Sequence, residues 1–157
     1  MNWTHSNLET QGYRLNAEEA RALRLGLRFP TALCLALVIG GLALESAVII
    51  AVLVPIGAAA GWTGRHPFDY IWNGALRHAL NAPALPPNPS RRRHAFKLAT
   101  LWLAAVAVLF AAGASTAALV FGGMLVAVCA LVTVTSFCIP STLLAWLDAR
   151  AVLRAVR

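Results

Sequence analysis

FPTALCLALVIGGLALESAVIIAVLVPIGAAAGWT, residues 29 to 63, carries one charged side chain, Glu45, in an otherwise apolar and small-residue run. As a single straight helix this stretch would reach roughly 50 Å, against a bilayer hydrocarbon core of roughly 30 Å. It must therefore fold back on itself. A carboxylate at the centre of a membrane helix costs about 2.5 to 3.5 kcal/mol. Glu45 accordingly belongs at the turn, giving helices near 29 to 44 and 46 to 63. Both are close to the shortest length that spans a bilayer. Pro30 suits the first turn of the first helix, where its missing amide proton does no harm, and Pro55 predicts a kink inside the second.

A second apolar block, Leu98 to Phe137, also exceeds one span, and the small residues Ala112 to Thr116 mark its break. Helices near 96 to 113 and 117 to 138 follow. Composition agrees: 59% of residues are hydrophobic and 12% charged, with a mean hydropathy of +0.69. A soluble domain is about 25% charged. All 13 Lys and Arg fall in 14 to 28, 65 to 97 and 150 to 157, outside both apolar blocks. Two hairpins place these stretches on one side and Glu45 and Ser115 on the other, and the positive-inside rule assigns the basic side to the cytoplasm. The first 28 residues are polar and charged, so no secretory signal peptide is expected.

The expected fold is an all-α membrane protein with four transmembrane helices as two hairpins and short amphipathic interfacial helices, N-terminus and C-terminus cytoplasmic. It reads as a single membrane domain, 1–157. Its parts are a cytoplasmic amphipathic arm (1–28), hairpin one (29–63), a cytoplasmic interfacial loop (64–95), hairpin two (96–138) and a basic C-terminal helix (139–157).

In the arm, Asn16 is a helix N-cap with Glu19 at the reciprocal position, and Arg21, Arg24 and Arg28 recur on one face. At the other end Arg150, Arg154 and Arg157 form a second basic stripe, opposite Leu143, Leu144, Leu147 and Leu153. Both helices are expected to lie on the membrane surface. Close helix packing is assigned to Gly57 and Gly61, in GAAAG, and to Gly122 and Gly123.

The loop is the least generic stretch. Phe68, Tyr70, Ile71, Trp72, Leu76 and Leu80 read as an interfacial helix with aromatic anchors, and Asp69 as its cap. Pro83, Pro86, Pro87 and Pro89 stiffen the linker that follows. Arg65, Arg77, Arg91, Arg92, Arg93 and Lys97 are the residues expected to contact anionic lipid or a partner. His66, Asp69, His78 and His94 are not at metal-ligand spacing, so no metal or cofactor is expected.

HPFDYIWNGALRHALNAPALPPNPSRRRHAFKLATLW at 66 to 102, with FCIPS at 137 to 141, resembles a bacterial four-helix membrane family catalogued as domain of unknown function 4395. The resemblance runs from about Phe29 to about Trp146, and its loop wording includes His66, Pro67, Phe68, Asp69, Asn73 and His78. It implies a bundle in the bacterial inner membrane and brings no established activity. Some relatives carry a Cys-x-x-Cys pair at the end of the last helix, where this chain reads Cys138, Ile139, Pro140, Ser141. Cys34 and Cys129 fall within spans, which leaves Cys138 as the candidate thiol.

The residues thus point to a non-catalytic accessory or assembly subunit of a larger membrane complex, binding membrane lipids and other membrane subunits. Nucleic acid is not an expected partner and no enzyme motif is present. The alternative is an oligomeric permease for a small anion or sulfur species, or a membrane thiol component, using Cys138 or Arg91 to Arg93.

Overall fold

The computed structural model describes residues 3–155, and the surroundings of side chains for 5–150. Among the described residues the regular structure is all helical. Two short helices, α1 (Trp3–Thr10) and α2 (Ala17–Ala22), precede the long α3 (Arg24–Ala43) and α4 (Ala47–Trp62). Helix α5 (Pro67–Ile71) passes through a π turn at Trp72–Leu76 into α6 (Arg77–Ala79). Then come α7 (Ser90–Ala111), α8 (Ser115–Thr135) and α9 (Ile139–Ala155).

Helices α3, α7 and α8 are each long and apolar enough to cross a membrane. Helix α4 has 16 residues, or roughly 24 Å, and meets the same test only together with the segment after it, from which it is bent by 82°. Among the described residues the chain therefore has three or four candidate spans, by length and composition. Helices α3, α4, α7 and α8 form a ring in which each touches two others, α4 and α7 being the closest pair. Their inner faces meet in a core of Val38, Leu42, Ile50, Leu53, Leu103, Val106, Phe110, Ala118 and Leu125.

Both turns lie at one end of the ring. Glu45 is in the first, at φ 45°, and the Ser46 side chain caps α4; Gly113, at φ 73°, makes the second. A non-glycine residue rarely adopts such a φ, but each of these three-residue reversals between helices uses one.

Helix boundaries depart from the sequence expectation at the opposite end. Helix α3 starts at Arg24, not 29, so residues 24 to 28 are continuous with the long helix. Pro30 consequently sits inside the helix instead of in its first turn. Helix α4 runs on through Pro55. Helix α7 starts at Ser90, not 96, because Pro89 in extended geometry is its N-cap and the arginines that follow are good helix formers. Helix α8 stops at Thr135, before 138, where Ser136 turns left-handed at φ 58°.

Three of the four expected packing glycines sit where a side chain would collide. A Cβ on Gly57 would come within 2.6 Å of the Thr100 hydroxyl, one on Gly61 within 2.7 Å of Lys97, and Gly122 lies against Leu42. Gly123 is a correction: it has nothing within 4 Å, because consecutive helical residues point about 100° apart and only one can face the neighbour. Gly26 and Gly41 also make close approaches, to Trp72 with Leu85 and to Ile50.

The end remote from the turns is a packed cap with its own core of Leu8, Tyr13, Ala20, Leu23, Leu27, Trp72 and Leu85. The N-terminal segment is thus folded into the protein. Trp72, expected as a headgroup anchor, is 3% exposed and gives its indole N–H to the Pro83 carbonyl, whereas Tyr70 stays 66% exposed.

Candidate functional site

The cap is organised around the start of α5. Pro67 occupies the first helical turn, where an amide proton has no intrahelical partner. His66 is the N-cap: its Nδ1 accepts from the Phe68 N–H at 3.1 Å, and its own N–H donates to the Asp69 carboxylate at 2.7 Å. Asp69 thus closes the reciprocal half of a capping box, one step removed from the expected N-cap role. The expected Asn16–Glu19 box on α2 is present too.

From Asp69 a chain of hydrogen bonds crosses the buried cap. The Asn88 side-chain N–H donates to Asp69 at 3.4 Å, the Tyr13 hydroxyl donates to Asn88 Oδ1 at 2.9 Å, and Arg92 Nη1 donates to the Tyr13 oxygen at 3.1 Å. Every donor points from the guanidinium toward the carboxylate, so each bond polarises the next. The second Arg92 nitrogen, Nη2, donates to the Leu27 carbonyl at 2.9 Å, and the guanidinium lies over the Tyr13 and Phe96 rings. Asp69, Asn88 and Arg92 are 3%, 8% and 6% exposed.

Burial sets the protonation chemistry. Loss of water lowers the His66 pKa to about 4, with the positive Arg92 adding to the effect. It raises that of Asp69, against the opposing pull of the His66 N–H, Arg92, Arg65 and Asn88. It also raises Tyr13. The histidine is neutral at pH 7, and its ring lies tilted against Phe68 and edge-on to Phe96.

The three consecutive arginines fan out. Arg91 turns to Asp148 on α9 (2.9 and 3.0 Å), Arg92 turns inward, and Arg93 donates to the carbonyls of Gly61 and Trp62, closing the C-terminal end of α4. Arg92 as a lipid contact is therefore corrected: it is enclosed, and its donors serve protein acceptors. Lys97 lies over the Trp62 ring and Arg65 donates to the Leu85 carbonyl. Asn73 accepts from the Leu85 N–H, so this segment is held from both sides. Arg77 bonds within its own turn, to the Asn73 carbonyl, and His78 is exposed.

Cys138 is buried, and the Ser141 hydroxyl donates to its sulfur at 3.2 Å. Arg150 stacks on Trp146 at 3.5 Å, while the side chains of Leu153, Arg154 and Arg157 lie outside the described residues. Among the described residues no cluster of three His, Cys, Asp or Glu could hold a metal.

Sequence reasoning missed Tyr13 and Asn88, the two neutral links of the chain. It also missed Asn7 and Gln11, whose amides donate to the Thr135 and Ser136 carbonyls at 3.0 and 2.6 Å. Asn88, alone between prolines in PPNPS, offered the one visible signal.

No curated protein and no solved structure matches the chain. The family model described as Domain of unknown function (DUF4395) matches residues 24–148, a stretch holding the ring of helices, the capping box, Asn88 and Arg92. Since that match takes in most of the chain, the protein belongs to the DUF4395 family.

Proposed function

We propose that the protein is a non-catalytic subunit of a larger complex in the bacterial inner membrane, with its basic cap on the cytoplasmic side, against anionic lipid. The observation that carries this reading is the Arg92–Tyr13–Asn88–Asp69 chain. It is buried and bonded at each link, an arrangement that holds segments together and offers no open position for a substrate. Large apolar side chains face outward around the ring, among them Val48 and Val52 on α4, Leu101 and Val108 on α7 and Phe121 and Met124 on α8. These faces suit acyl chains or a neighbouring subunit. Arg21 and Arg24 remain exposed at the cap end, each adding about 1 kcal/mol of attraction to an anionic leaflet.

The permease alternative rested on Arg91 to Arg93 and Cys138, and it loses motivation where those groups bond to the protein itself.

The test is extraction of native membranes into lipid nanodiscs. A subunit elutes at constant stoichiometry with a second membrane protein, and the isolated chain prefers nanodiscs containing phosphatidylglycerol to purely zwitterionic ones. Elution as a monomer from every extraction would reject the subunit role.

A further inference from the structure

A cleft of about 490 Å³ opens between α1, α2 and the first turn of α3, and its lining includes His5, Arg21 and Arg24. Ala17 and Ala20 leave the space between them, and Leu25, 69% exposed, stands at the edge. Arg21 and Arg24 both line it because the helix breaks at Leu23: Arg21 lies in the last turn of α2 and Arg24 begins α3. Arg28 follows one turn further on. It gives one terminal nitrogen to the Val134 carbonyl, and its Nε is buried without a partner.

The charge at this corner is uncompensated. Among the described residues no carboxylate lies within 4.0 Å of Arg21, Arg24 or Arg28. The cleft lining itself holds no acid; Glu9 lies 3.9 Å from His5, and Glu19 accepts from the Asn16 backbone. Like charges held together in a concave site favour an anion, and paired guanidinium forks match phosphate oxygens.

Depth identifies the anion. Arg24 is the first residue of a helix long and apolar enough to cross a membrane, so the cleft lies where phospholipid headgroups lie. Leu25 would then meet the top of an acyl chain.

The geometry points to this cleft as a binding site for the phosphate headgroup of an anionic membrane lipid. The inference rests on the basic end facing an anionic leaflet. It differs from general surface attraction in requiring Arg21, Arg24 and the open volume together.

The experiment is native mass spectrometry of the full chain titrated with phosphatidylglycerol, with phosphatidylcholine, glycerol phosphate and inorganic phosphate in separate arms. Three variants are compared: Arg21→Gln with Arg24→Gln; Ala17→Phe, which fills the cleft and keeps every charge; and Arg14→Gln with Arg150→Gln, which removes the same charge elsewhere. Thermal unfolding checks that each is folded. Wild type retains the lipid; both cleft variants bind about tenfold more weakly and the control changes by less than about twofold. Equal losses in the control, or none in Ala17→Phe, would overturn the site, and binding of free phosphate without lipid retention would overturn lipid as the occupant. If wild type shows no preference for phosphatidylglycerol over phosphatidylcholine, the proposed function fails as well. If that preference survives all variants unchanged, only the cleft fails.

Discussion

Arg92 shows how far position within a helix outweighs membership of a charge cluster. Its neighbours Arg91 and Arg93 face α9 and α4, while Arg92 ties α7 to Tyr13 and to the Leu27 carbonyl. Arg92→Met should lower stability by about 3 kcal/mol or more, since the buried Asp69 loses its countercharge. Arg91→Ala breaks an ion pair whose Asp148 is 60% exposed, and should cost less than about 1 kcal/mol. Unfolding in detergent measures both. His66 makes a pH prediction. Its folded pKa of about 4 lies below the ordinary 6.5, so the unfolded chain binds the proton more readily. Its stabilising contribution is complete above pH 6.5 and is lost as pH falls toward 4. Asp69, with its pKa raised, acts in the opposite sense, gaining relative stability as it protonates. By pH 5 the His66 contribution should fall by about 2 kcal/mol, and His66→Asn should flatten that part of the profile. The cluster of charge at 91 to 93 was legible in the sequence. Its division was not, because the partners of Arg91 and Arg92 lie 57 to 79 residues away in the chain.

The helices themselves were readable where a single physical length decides them. Hydrophobic runs too long for one crossing, with Glu45 and Gly113 at their midpoints, predict hairpins, and hairpins are present. The basic ends were misjudged because arginines at the bilayer edge continue a helix as readily as they lie beside one. Glycine roles split for the same reason of direction. Gly57→Leu would drive side-chain atoms against Thr100, whose hydroxyl already donates to the Phe96 carbonyl at 2.8 Å, and should destabilise by about 1–3 kcal/mol. Gly123→Leu meets open space and should stay within about 0.5 kcal/mol. Comparable losses in the two variants would contradict this packing of α4 on α7.

Across the whole molecule, the arrangement of charge makes an orientation prediction. With the native cysteines replaced, Glu45→Cys should react with an impermeant maleimide from outside intact cells, and His94→Cys only after permeabilisation. Labelling in the reverse pattern would invert the topology. The ring was legible because bilayer thickness constrains it. The cap was not, because no local rule links Tyr13 to Asn88 or Leu8 to Leu85. The contacts of Asn7 and Gln11 with Thr135 and Ser136 have a further consequence, for biosynthesis. They join residues 128 and 125 positions apart, so the segment holding Asn7 and Gln11 can make these bonds only after the end of α8 has been synthesised. At about 5–20 residues per second, that segment waits roughly 6 to 25 seconds for its acceptor carbonyls to be made. The cap can close fully only once α8 has been delivered, which makes its closure a natural marker that α3 to α8 are in place.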